Sequence, residues 1–126
     1  MDKEGRVSLW IGTFDSFLEL DNYIKVSYNE GFIDSQFEKD FHIDYYDDEL
    51  KEADCIETQT NDVSTLIEGF SHDEVLIPKI KKLCGDKFNE MVNAIILLYN
   101  FNYNKPISEV NVGENKLKFI GSFNYL

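Results

Sequence analysis

The chain has 126 residues, the length of one ordinary domain, with 43% hydrophobic and 14% aromatic side chains and only two prolines. That composition excludes a disordered polymer and implies one aromatic-rich core. Twenty-four acidic against twelve basic residues leave a formal charge of -12, which argues against a nucleic-acid ligand and steers cationic partners towards the surface.

The first element is RVSLWIG, in which Val7, Leu9 and Ile11 face one way and Trp10 the other, the alternation of a strand that Gly12 ends. Acidic residues precede this short apolar run, so no signal peptide is predicted and the cytoplasm is the expected compartment. Ser16 and Glu19 have the spacing of a capping box, and Phe17, Leu20, Ile24 and Tyr28 then recur at three- and four-residue steps. This predicts an amphipathic helix over 16–28 lying on a sheet, with a turn over 29–32. Ser35 and Glu38 form a second box that opens a short helix, placing Phe37 and Phe41 one turn apart. HIDYYDDELKEAD has no sustained period and reads as an irregular or short-helical surface segment. One tyrosine, and Phe41 or Ile43, would anchor it to the core. CIETQ reads as a strand.

Asn61 or Asp62 caps a short helix that carries Val63, Leu66 and Ile67 and stops at Gly69. Ser71 and Glu74 suggest a third capping box, with Val75, Leu76, Ile80 and Leu83 towards the core. Pro78 removes an amide hydrogen, so this helix is expected either to kink there or to begin near residue 78. Lys81, Lys82 and Lys87 suit the negative end of its dipole. MVNAIILLY is almost continuously apolar, as for a central strand covered by helices. PISEVNV and KLKFIGSFNY are strands joined by a hairpin over 112–116, with Leu117, Phe119, Gly121 and Phe123 on one face and Lys118, Ile120, Ser122 and Asn124 on the other. The predicted class is α+β: a single domain, 1–126, with a mixed or mainly antiparallel sheet and helices on at least one face. Residues 92–125 would supply adjacent antiparallel strands. The longest apolar run, AIILLY, is too short for a membrane span.

Catalytic chemistry finds little support. His42 and His72 have no neighbouring nucleophile pattern. Asp44, Asp47, Asp48 and Glu52 are hard-cation ligands by type, but residues 40–52 hold no glycine on which a calcium loop could turn. The glycines are isolated, so no phosphate-cradling loop exists. Cys55 and Cys84 are neither a metal-binding pair nor a disulfide framework, and read as thiols in a reducing compartment. No cofactor and no metal are predicted.

Residues 30–62 hold twelve acidic side chains and two lysines, so ten of the net negative charges fall in a quarter of the chain. Their tyrosines offer rigid contact area, and their carboxylates offer pairing with lysine or arginine. The candidate partner-binding residues are Asp44, Tyr45, Tyr46, Asp47, Asp48, Glu49 and Glu52, for a protein partner with a basic surface.

VSLWIGTF, SQFEKDFHIDYYDDEL, LIEGFS and KLKFIGSFNY, in this order along nearly the whole chain, resemble the immunity protein 22 family of bacterial proteins, formerly a domain of unknown function. The W-x-G of Trp10 and Gly12 and the segment from Ser35 to Asp48 carry the resemblance most specifically. It implies a non-enzymatic protein that binds and neutralises a cognate bacterial toxin. A nuclease toxin would fit, because its cationic groove is one that carboxylates can occlude. The alternatives are an acidic adaptor, a nucleic-acid mimic that blocks a nucleic-acid-binding protein, or a small metal-assisted hydrolase.

Overall fold

A computed structural model describes residues 1–29 and 32–126, with side chains described for 1–26 and 35–126. Five strands form one antiparallel sheet in the order β4-β5-β1-β7-β6. They are β1 (Asp2–Gly12), β4 (Lys51–Asp62), β5 (Lys87–Phe101), β6 (Glu109–Val112) and β7 (Asn115–Asn124). Two short strands, β2 (Ser27–Asn29) and β3 (Phe32–Asp34), pair with each other. The helices are α1 (Phe17–Ile24), α2 (Gln36–Phe41), α3 (Val63–Ile67) and α4 (Asp73–Cys84). The predicted turn over 29–32 includes the two residues outside the description. Among the described residues no helix is long and apolar enough to cross a membrane.

The alternation in β1 sorts the core. Val7, Leu9 and Ile11 join Leu66, Ile67, Leu76 and Ile80 of α3 and α4 on one face. Trp10 joins Leu20, Tyr23, Ile24, Phe37 and Phe41 of α1 and α2 on the other. Helices therefore cover both faces, and β5, buried at every residue from Val92 to Tyr99, is the double-sided strand its apolar run predicts.

Strand order departs from the expectation for residues 92–125. β5 does not pair with its successors; β1 lies between β5 and β7, with Leu9 opposite both Leu97 and Gly121. A strand apolar on both faces belongs mid-sheet, and the four-residue β6, with Glu109 and Asn111 exposed, suits an edge. A bulge corrects the alternation in β7 as well. Leu9 faces Gly121 while Trp10 faces Phe119, so Ile120 is the extra residue. Phe123 and Ile120 then pack on the α4 side and Leu117 and Phe119 on the Trp10 side.

The helix limits also differ. Ser16 caps α1 by accepting from the Glu19 amide at 3.2 Å, but the helix ends at Ile24 and Tyr28 lies in β2. Phe17 is half exposed, because in the first turn it projects past the edge of the buried stripe made by Leu20, Tyr23 and Ile24. Asp62 is the α3 cap and accepts from the Thr65 amide at 2.9 Å. For α4 the predicted Ser71–Glu74 box is absent. His72 caps the helix in a left-handed conformation with no side-chain bond, and Ser71 is engaged by Glu52. The helix runs unbroken through Pro78. Pro78 and Glu74 are both exposed, which places the carbonyl that the proline leaves without an amide on the solvent side of the helix. Leu76 and Ile80 are buried as predicted, whereas Leu83 is exposed.

Gly12 is fixed by close approach. A Cβ there would stand 2.1 Å from the Lys116 carbonyl oxygen, which also accepts from the Thr13 amide at 2.9 Å. Gly12→Ala must push β1 from β7, and we expect it to cost about 1–3 kcal/mol or more. Urea unfolding measures this, and a midpoint equal to wild type would refute the close contact.

Candidate interaction surface

The acidic stretch is held outward by the apolar residues threaded through it. Ser35 caps α2, accepting from the Glu38 amide at 3.2 Å and donating to Glu38 Oε1 at 3.1 Å. Phe37 and Phe41 are both fully buried, with ring centroids 5.5 Å apart. His42 ends the helix at φ 56, and the Ile43 amide returns to the Glu38 carbonyl at 2.8 Å. Ile43 and Tyr46 point inward, and the Tyr46 hydroxyl donates to the Ile24 carbonyl at 3.3 Å. Between these anchors Asp44 and Tyr45 are exposed.

The next turn is a single 3-10 turn, Asp48–Leu50, capped by Asp47, whose Oδ1 accepts from the Glu49 amide at 3.0 Å. Asp48 pairs with Lys51 at 2.6 Å, and the Lys51 ammonium stands 5.8 Å from the centre of the Tyr46 ring. Burial first, then the charges of Glu38 and Asp48, push the Tyr46 hydroxyl well above the ordinary tyrosine pKa.

The seven sequence-predicted residues thus divide. Asp44, Tyr45, Asp47, Asp48 and Glu49 are exposed, with Asp48 paired to Lys51. Tyr46 is 4% exposed and is the anchoring tyrosine of the pair. Glu52, on β4, accepts from the Ser71 amide at 2.9 Å and the Ser71 hydroxyl at 2.7 Å, and the Tyr99 hydroxyl lies 3.1 Å away. Those bonds tie β4 to the α3–α4 connection, and Tyr46 and Glu52 are internal fasteners of the surface they border.

The fold adds acidic residues that the linear reading missed. Pairing of β1 with β5 sets Asp2 opposite Phe101 and carries the N-terminal strand to the acidic segment. A cleft of about 430 Å³ results, lined by Asp2, Glu4, Tyr45, Asp47 and Leu50, with Lys3 its one cation. Three carboxylates and an exposed tyrosine edge so share one concavity. No local pattern announces it, because the residues meet only through the sheet register. A second hollow of about 410 Å³ lies where α4 ends beside β5 and β7, with Lys116 and Lys118 facing Glu90 and Glu114 over an apolar floor of Ile11, Phe88 and Ile120; its charges balance.

His42 and His72 are exposed and far apart in sequence, and the His72 ring lies 4.8 Å from that of Tyr125, tilted by 51°. Cys55 and Cys84 are free thiols, half-buried, and burial raises both pKa values. Among the described residues no three His, Cys, Asp or Glu side chains gather as metal ligands would.

Fold and surface together define a small α+β protein that exposes carboxylates beside the edge of Tyr45. Residues 7–126 match Immunity protein 22, and the chain belongs to that family. No curated protein and no solved structure matches it.

The two adjacent tyrosines should behave oppositely. Tyr46→Ala removes a buried ring and should cost about 3 kcal/mol or more, whereas Tyr45→Ala should change stability by less than about 0.5 kcal/mol. Chemical denaturation of both variants checks this, and equal losses would contradict the division. Alkali offers an independent check. Tyr23, Tyr46 and Tyr99 all have folded-state pKa values raised above 10.0, burial being the first cause. Above that pH the unfolded chain sheds these protons before the folded one, so stability present below pH 10 falls as pH rises further. Urea midpoints should drop from about pH 10 upward, and less steeply in Tyr46→Phe.

Proposed function

We propose that the protein is an immunity protein that binds a cognate toxin directly, as one domain acting in the cytoplasm and without catalysis. Family membership supports the immunity role. The observation that carries the mechanism is the acidic cleft, where Asp2, Glu4 and Asp47 converge beside the exposed Tyr45. A concave surface with a net negative charge accelerates encounter with a cationic partner and fixes its orientation. Tyr45, 60% exposed, adds contact area that loses little conformational freedom on binding. A toxin with a cationic working surface meets these requirements, and a nuclease, which must hold phosphate, is the plainest example. The protein then acts by covering that surface.

The test separates steering from folding. Asp2→Asn, Glu4→Gln and Asp47→Asn together remove the three negative charges that line the cleft, and Asn keeps the capping oxygen at position 47. With the toxin captured from cells that express both proteins, association of this variant should slow about tenfold at low salt and lose much of its salt dependence, with thermal unfolding unchanged. Equal association rates and salt slopes for variant and wild type would remove this face from the mechanism.

A further inference from the structure

The first turn of α1 carries a feature that the acidic cleft does not use. Phe17 and Leu18 are 51% and 67% exposed, consecutive in the chain, and neither completes the helix's buried stripe, which is Leu20, Tyr23 and Ile24. Their exposure is not required by the fold. Ser16, which starts the helix, caps it through its own side chain, and the turn would form equally well with polar residues at 17 and 18.

This apolar pair is flanked by carboxylates. Asp15 and Glu19 lie on either side of it in sequence, both exposed. The Cys55 thiol of β4 lies 3.8 Å from the Phe14 carbonyl oxygen, so the edge strand runs beside this turn. Burial first, and then nearby charges that include Asp15 and Glu19, raise the Cys55 pKa. Among the described residues neither Asp15 nor Glu19 has a lysine or arginine partner. An apolar centre inside a charged rim is the anatomy of a protein interface, in which the centre supplies affinity and the rim excludes water and selects the partner.

We infer that Phe17 and Leu18, flanked by Asp15 and Glu19, form the anchoring contact for the toxin, seated in an apolar hollow bordered by lysine or arginine. The inference rests on the immunity reading above. Charge decides the occupant. A second copy of this chain, meeting face to face about a two-fold axis, would oppose Asp15 and Glu19 to their own copies on a molecule of net charge -12. A basic partner gains where a second copy loses. The patch also lies along β4 from the acidic segment: Cys55 pairs with Ala94, and Lys51, next to the 3-10 turn, pairs with Leu98. One partner surface can therefore span both.

The two contacts leave different kinetic marks. Desolvated apolar anchors set dissociation, whereas exposed charges set association. The experiment measures both rates for wild type, Phe17→Ser/Leu18→Ser, Leu18→Asn alone and the charge-neutralised variant, using the captured toxin. The double variant should dissociate about tenfold faster or more, with association changed less than about twofold. Leu18→Asn should give a smaller effect of the same kind, and thermal unfolding should match wild type in both. Dissociation within twofold of wild type for the double variant would overturn the anchor while leaving toxin binding intact. Failure of wild type to retain any toxin from cells that express both proteins would overturn the immunity reading and the anchor together. Self-association of wild type that the double variant abolishes would assign the patch to a second copy and overturn the toxin-facing role.

Discussion

Everything in this fold depends on β1 being apolar on both faces. A strand with only one buried face can sit at an edge with the other face in water, but Val7, Leu9 and Ile11 on one side and Trp10 on the other cannot. The chain therefore inserts its first strand between β5 and β7 and covers it twice, with α1 and α2 above and α3 and α4 below. Trp10 is fully buried within 5.0–5.8 Å of the rings of Phe37, Phe41, Tyr103 and Phe119. Its indole N–H is the one buried side-chain polar atom without a hydrogen-bond partner among the described residues. Leaving such a donor unmade costs about 1–3 kcal/mol, and the area that the ring buries with four aromatic neighbours offsets it.

The same cluster makes an ordered acidic surface possible. Ten net charges in residues 30–62 repel one another, and a segment of that composition without anchors would stay open. Phe37, Phe41, Ile43 and Tyr46 enter the Trp10 cluster at short intervals, so each exposed run between anchors is only one to a few residues long. Glu52 finishes the job at the start of β4 by bonding Ser71 across the sheet edge. The surface is presented by its own interleaved hydrophobics, and the residues that hold it are as necessary to it as those that face solvent.

How far the sequence revealed this follows from the range of each interaction. The caps Ser16, Ser35 and Asp62 were legible because each acts within three residues, and the faces of β1 were legible because alternation is local. Ser71 was misread as a cap because its true partner, Glu52, lies nineteen positions away. The side change of Phe123 was hidden because a bulge at Ile120 is set by the register with β1, and nothing in KLKFIGSFNY marks it. The exposed half of the candidate surface was visible as composition. Its split into Tyr45 outside and Tyr46 inside was visible only as a choice between two adjacent residues, and the contribution of Asp2 and Glu4 required the pairing of the first strand with the fifth.

Net charge understates the field that this arrangement produces. Six of the twelve basic residues, Lys79, Lys81, Lys82, Lys87, Lys116 and Lys118, lie on α4, the start of β5 and β7. α4 packs on the face opposite to α1 and α2. Lys81 and Lys116 are partly spent on Asp86 and Glu109, but as a group these lysines offset the acidic residues of the α4 side, whereas the α2–β4 side, with Lys25, Lys39 and Lys51 its cations, stays strongly net negative. A cationic body approaching such a molecule feels a torque as well as an attraction, because turning the α2–β4 side towards it lowers the energy before any contact forms. That orientation reduces the angular search that otherwise limits association, and it turns such a body towards the side that carries the acidic segment. The separation of charge across the sheet, more than its total, gives the protein a face.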